Sequence, residues 1–153
     1  MRVLELKIPP PAVALVNALL MWLASRSSPV LAFVFPVANL LAVGLAAIGL
    51  TVAISGVVTF RLARTTLNPT KPEASSSLVS WGIYRITRNP MYLGLLLELT
   101  AWAIFLSNWL AFLFLPVFVI YINRFQIVPE ERALTSLFAR EFVDYQSRVR
   151  RWL

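Results

Sequence analysis

Four long apolar runs alternate with short polar breaks along the chain, and that pattern predicts a helical membrane protein. The first run is 8–24, IPPPAVALVNALLMWLA, opened by prolines where missing amide donors cost little. SRSSP at 25–29 breaks it. VLAFVF at 30–35 is apolar but too short to cross, so it either lies at the interface or extends the next helix. The second run, 36–60, carries no charge and is long enough to span with some tilt. Gly44, Gly49 and Gly56 offer it a small-residue face for close helix packing.

Residues 61–88 form the longest polar stretch, where Pro69, Pro72 and a serine run mark a loop. Two more apolar runs follow, 89–106 and 109–123, parted only by Ser107 and Asn108. Read as one helix, 91–122 would be roughly 48 Å long against a hydrocarbon core of about 30 Å, so a tight hairpin is expected. Pro116 is expected to kink its second arm. The period then changes. Over 129–149, Leu134, Leu137, Phe138 and Phe142 recur on one helical face with charges opposite, which predicts an amphipathic helix lying on or returning to the membrane surface. The expected fold is an all-α integral membrane protein with about four transmembrane helices. The third and fourth form the hairpin, a cytoplasmic amphipathic helix follows, and 1–153 is a single domain.

Composition supports the pattern. The chain is 59% hydrophobic and 14% charged, against about a quarter charged in soluble domains. No cleavable signal peptide is expected; the first run reads as an anchor. With four spans, both termini and the 61–88 loop share one side. Thirteen of the fourteen Lys and Arg then fall there and only Arg26 falls opposite, so that side is expected to be cytoplasmic. The net charge of +7 is explained by this bias without nucleic acid. There is no Cys and no His, which removes disulfides, thiol nucleophiles, imidazole bases and His- or Cys-ligated metals. No metal is expected. The remaining toolkit suits positioning an activated donor better than demanding acid–base work.

Candidate chemistry concentrates at one mouth. GIYRITRNPMYLG, 82–94, packs Tyr84, Arg85, Arg88, Asn89, Pro90 and Tyr92 against the start of an apolar helix. Asn123, Arg124, Gln126, Glu130 and Glu131 follow the last run, and Tyr145, Arg148, Arg150, Arg151 and Trp152 lie near the C-terminus. A hairpin brings the first two clusters together. Arg85 reads as a positive-inside anchor, and Trp22, Trp102 and Trp109 as belt or packing residues. Glu98 lies inside the third run, at a cost of about 2.5–3.5 kcal/mol on the insertion scale. It is a substrate-cavity candidate, or else a buried glutamate paired with Asn39, Thr51 or Ser55.

As an ordered set these residues resemble the isoprenylcysteine carboxyl methyltransferase and phospholipid methyltransferase superfamily, over roughly 35–153. The matching pieces are GIYRITRNPMYLG, RFQIVPEERAL, the Phe142–Tyr145 element and the basic end. The resemblance implies an integral membrane methyltransferase using S-adenosyl-L-methionine on a lipid-borne acceptor, with the cofactor held within about 61–153. It implies Arg88, Asn89, Pro90, Tyr92, Leu93, Gly94, Glu131, Tyr145, Arg148, Arg150 and Trp152 around the cofactor, and Arg124 and Glu130 at the reaction centre. Arg88, or Arg148 or Arg150, suits the cofactor carboxylate as a bidentate fork. Glu130 or Glu131 suits its ammonium. Tyr92 and Trp152 suit adenine or sulfonium, and Gly94 allows close backbone approach. A carboxylate acceptor, as in an isoprenylcysteine, needs no base, and Arg124 suits it; a phospholipid amine needs one, and a Glu becomes the candidate. This chain departs from the pattern at Asn89, where relatives often have His, at Arg64 and Ala139, where they carry Gly, and at Phe142, where they carry Tyr. The competing expectation is a non-catalytic four-span scaffold, lipid-binding protein or transporter subunit. Its polar groups would be expected near mid-membrane, and here only Glu98 lies there.

Overall fold

The computed structural model describes residues 5–63 and 77–153. Residues 64–76 of the predicted loop, with Arg64, Pro69 and Pro72, lie outside the described residues. Six helices follow in order: α1 (Pro10–Ser27), α2 (Ala38–Leu62), α3 (Pro90–Leu106), α4 (Trp109–Phe112), α5 (Phe114–Ile122) and α6 (Val128–Arg148). Among the described residues no strand forms. A lone antiparallel bridge joins Ala32 to Asn108. α2 and the helical run Trp109–Arg148 are long and apolar enough to cross a membrane, and α3 is a shorter apolar helix.

α3 is the centre of the bundle, with α2 against one side and α1 and α5 against another. Small residues set the α2–α3 distance. A Cβ added at Gly94 would lie 2.7 Å from Ala53 Cβ and 2.7 Å from Gly49 O, and one at Gly56 would lie 3.0 Å from Pro90 Cγ. Such backbone approach gives dispersion contact that a larger residue would forbid. Gly44, expected on the same face, meets nothing within 4 Å. Met21, Tyr92, Leu99, Ala103, Phe118, Ile122 and Ile127 fill the core between α1, α3 and α5. Trp102 Nε1 donates to Ala18 O at 3.1 Å and fixes α3 on α1. Leu15, Leu40, Val43 and Ile120 stand exposed on the outside, the arrangement a lipid solvent favours.

The chain reverses at Ser107, whose φ is +48°. Asn108 holds the turn: Oδ1 accepts from Leu110 N at 2.9 Å and Nδ2 donates to Ser28 O at 2.9 Å. Segment 30–35 does not extend α2, which starts at Ala38; it packs on the hairpin turn. Phe33 N donates to Ser107 O at 2.9 Å and the Phe33 ring lies 4.7 Å from Trp109. The second arm breaks at Leu113, between α4 and α5. Pro116 explains it: it has no N–H for Phe112 O, and its ring crowds that carbonyl.

Two differences from the sequence reading bear on function. The arm does not stop at residue 123. A π turn, Asn123–Ile127, carries it directly into α6. The predicted amphipathic helix is also not straight, since Ala139 sits at φ 42°, ψ −115° and kinks it. Beyond the kink Phe142 and Tyr145 turn inward onto Val79, Tyr84 and Val149, while Leu137 before it stays exposed.

Candidate functional site

The site grows from the turn that precedes α3. Gly82 has φ +61°, and a Cβ there would lie 3.2 Å from Thr59 Oγ1 on α2, so glycine suits both the backbone angle and the space. The turn Gly82–Arg85 buries Tyr84, whose ring meets Phe60 at 5.1 Å. Pro90 starts α3, where its missing N–H costs nothing.

The chain's last residues lie back across this turn. Arg88 N donates to Arg150 O at 3.1 Å, and Asn89 Nδ2 donates to Arg151 O at 2.8 Å. Thr87 Oγ1 donates to the same carbonyl at 3.3 Å and accepts from Asn89 N at 3.2 Å. Tyr145 Oη donates to Tyr84 O at 2.7 Å. Trp152 Nε1 donates to Asn123 Oδ1 at 3.2 Å and ties the tail to the π turn. The motif, the π turn and the tail therefore form one unit, held largely by backbone carbonyls.

Inside that unit the charges sort into two groups. Glu131 accepts from Arg151 Nη2 at 2.6 Å and Nε at 3.1 Å, a bidentate pair. Arg88 Nη1 lies 3.0 Å from Glu131 Oε1, but without the alignment of a hydrogen bond. Nε and Nη1 of Arg88 are buried and have no hydrogen-bond partner, and neither has the buried Tyr84 hydroxyl. Glu130 takes the other side and accepts a short hydrogen bond from Tyr92 Oη. Its residue surface is only partly buried, but the carboxyl itself is enclosed. Burial pushes that carboxyl up to about 8; the Tyr92 hydrogen bond pulls it down, and Glu131 pushes it up further. Burial likewise raises the Tyr84 and Tyr145 hydroxyls above the ordinary tyrosine value.

Of the residues singled out from sequence, Arg88, Asn89, Tyr92, Glu130, Glu131, Tyr145 and Trp152 come together here. Leu93 is buried in α3. Pro90 packs on Gly56, and Gly94 forms the α2 crossing where the sequence reading placed cofactor contact. Arg148 is exposed and donates to Asp144 O at 3.1 Å. Arg150 contributes its carbonyl to the unit while its side chain faces outward. Arg124 pairs with Glu5 at 3.1 Å, away from the Tyr92–Glu130 pair. Glu98 opens onto a groove of about 330 Å³ between α2 and α3, lined by Ala42, Ala46, Ala101, Trp102 and Phe105. Thr51 and Ser55, expected as its partners, donate instead to carbonyls of their own helix. Arg151 and Asn123 belong to the sequence clusters but not to the residues expected around the cofactor, and Thr87 and Glu5 carry no signal in the sequence. Nothing in the run RVRRWL distinguishes Arg151 from its neighbours.

A protein-family model described as phospholipid methyltransferase matches residues 37–141 of this chain. An uncharacterized protein of Haemophilus influenzae is 51% identical over 63 residues, which is 41% of this chain and 100% of that protein. No solved structure matches.

Proposed function

The chain belongs to the phospholipid methyltransferase family, and on that footing we propose that it is a four-crossing membrane enzyme using S-adenosyl-L-methionine to methylate a lipid-borne amine. In this reading the chain crosses at 8–24, 36–60, 89–106 and 109–123, and the basic-residue bias supports a cytoplasmic mouth for the Arg88–Glu131 unit. The observation that carries the reading is Arg88: a buried guanidinium, ion-paired to Glu131 and with an unpartnered Nε, beside an enclosed tyrosine–glutamate pair.

The donor set fits the cofactor. The unpartnered Nε–H of the buried Arg88 guanidinium suits a carboxylate oxygen. The Glu131 carboxylate suits an ammonium at its rim, and Trp152 and Tyr92 offer aromatic surface. When bound, S-adenosyl-L-methionine supplies a methyl group already activated by its sulfonium. The protein's part is then alignment and exclusion of water. The tail carbonyls hold the motif shut over the site. Arg151 grips Glu131 with two donors and leaves its Oε1 within 3.0 Å of Arg88 Nη1.

The acceptor follows from Glu130. A carboxylate acceptor needs no base, whereas an ammonium must lose a proton before nitrogen can attack. A carboxyl poised at about 8 is a far better base near neutral pH than an ordinary one. Tyr92 fixes its Oε1 and so its orientation. Arg124, bound to Glu5, takes no proton-transfer role in this scheme.

Calorimetry of S-adenosylhomocysteine with the detergent-purified protein tests the reading. The wild type is expected to bind, and Arg88→Gln and the Glu130→Ala/Glu131→Ala double variant to bind at least tenfold more weakly. No binding by the wild type sinks the proposal. Radiolabelled methyl transfer into extracted lipids tests the acceptor. Label that survives mild alkali is N-methyl; label released as methanol is an ester and overturns the amine.

A further inference from the structure

The segment before α1 makes a contact that the methyl-transfer scheme does not use. Arg124 and Arg132 both turn to one carboxylate, Glu5: Arg124 Nη1 lies 3.1 Å from Oε1 and Arg132 Nη2 lies 2.5 Å from Oε2. The Arg124 and Arg132 side chains are 44% and 51% exposed, while the Glu5 side chain is only 12% exposed, so the anion is the enclosed member. The π turn makes this convergence possible. Its wider winding brings Arg124, before Glu130, and Arg132, after it, to the same carboxylate.

The docking of the segment has a local cause. Pro129 has no N–H to give the carbonyl four residues back, Phe125 O. Leu6 N donates there instead, at 3.0 Å. Gln126 Nε2 adds a bond to Ile8 O at 2.6 Å. The fit costs backbone strain, since Leu6 sits at φ +59°, a region bulky side chains avoid.

We propose that Arg124 and Arg132 form a binding fork for a phosphate group, and that Glu5 is its built-in competitor. The carboxylate presents one oxygen to each arginine, as two non-bridging phosphate oxygens would, and each guanidinium keeps further donors for the extra oxygens of a phosphate. A phosphate carried by a lipid headgroup meets the fork at the proposed cytoplasmic mouth; free inorganic phosphate has the same chemistry. The fork lies outside the Tyr92–Glu130 pair, so the inference stands or falls apart from methyl transfer.

Calorimetry in a neutral maltoside detergent tests it, with dihexanoyl-phosphatidylglycerol in one arm and inorganic phosphate in the other. Glu5→Gln is expected to tighten binding about fivefold, the scale of a released pair of exposed ion contacts. Glu5→Asp, one methylene shorter, is expected to fall between it and the wild type, and serves if Glu5→Gln does not fold. Adding Arg124→Gln and Arg132→Gln to Glu5→Gln is expected to abolish the gain. Glu141→Gln changes net charge equally at an exposed position of α6 and is expected to leave binding unchanged. A gain with the lipid alone assigns the fork to a headgroup; a gain in both arms assigns it to phosphate from either source. No gain in either arm, a gain that survives loss of both arginines, or an equal gain in Glu141→Gln overturns the proposal.

Discussion

Glu130→Gln separates the cost of an enclosed carboxyl from everything else in the site. In the folded protein this carboxyl keeps its proton up to about pH 8, whereas the ordinary value is 4.5. Between those limits the native state holds one proton more than the unfolded state, so stability falls as pH rises. The favourable contribution is fully present below about 4.5 and is gone above about 8. At about 1.4 kcal/mol per unit, the gap corresponds to about 5 kcal/mol. Water entry and side-chain relaxation on ionisation reduce this, so about 2–5 kcal/mol is expected. For a chain of this size that is roughly 5–15 °C in unfolding midpoint between pH 5 and pH 9. Glutamine has nearly the same shape and still accepts from Tyr92 Oη, but it does not titrate. The assay is thermal unfolding in detergent at closely spaced pH values, wild type and variant side by side. The difference between the two profiles cancels every other titrating group. The variant is expected to be the flatter of the two and the more stable at pH 9. Parallel profiles would refute both the raised ionisation of Glu130 and its assignment as a base matched to an ammonium acceptor.

Two substitutions test the frame around the site. Ala139→Gly is expected to stabilise the protein by about 1 kcal/mol, a rise of about 2–4 °C in unfolding midpoint, because glycine adopts φ 42° without the Cβ strain that alanine carries; a fall in midpoint would show that the kink is not strained. Gly94→Ala is expected to destabilise by about 1–3 kcal/mol, since its Cβ would meet Ala53 Cβ at 2.7 Å. Its folded fraction is expected to bind S-adenosylhomocysteine as the wild type does; lost binding at an unchanged midpoint would return Gly94 to the cofactor wall.

The helices were legible because each apolar run is bounded by residues that act locally. Pro10 and Pro90 open α1 and α3, and Ser107–Asn108 closes α3 within two residues. The α2–α3 crossing was half legible. Three glycines on one apolar run announced close packing, but only Gly49 and Gly56 meet α3, and Gly44 faces outward. Spacing alone does not choose among glycines on neighbouring faces of a helix. The π turn was not legible at all. Asn123–Ile127 contains no breaker, and its wider winding shows only in what it aligns, Arg124 with Arg132 on Glu5.

The site was legible where a side chain must be of one type, and hidden where the backbone acts. Tyr92 and Glu130 needed a hydroxyl and a carboxyl at the two feet of a reversal, and a charge-dense motif facing a glutamate pair pointed to both. The tail works through the carbonyls of Arg150 and Arg151, which any residue supplies, so no sequence pattern could separate the exposed Arg150 side chain from Arg151, which holds Glu131. Gly94 misled for the converse reason. A glycine near a binding motif serves a ligand or a neighbouring helix equally well, and here an added Cβ would lie 2.7 Å from Ala53 Cβ of α2. Ala139 carried the most structural information of the departures from the family pattern. The position where the resemblance implies glycine has a backbone angle that glycine adopts freely. That angle turns Phe142 and Tyr145 inward, and Tyr145 then anchors the carbonyl of Tyr84. A kink in a surface helix thereby sets the floor on which the Arg88 turn rests.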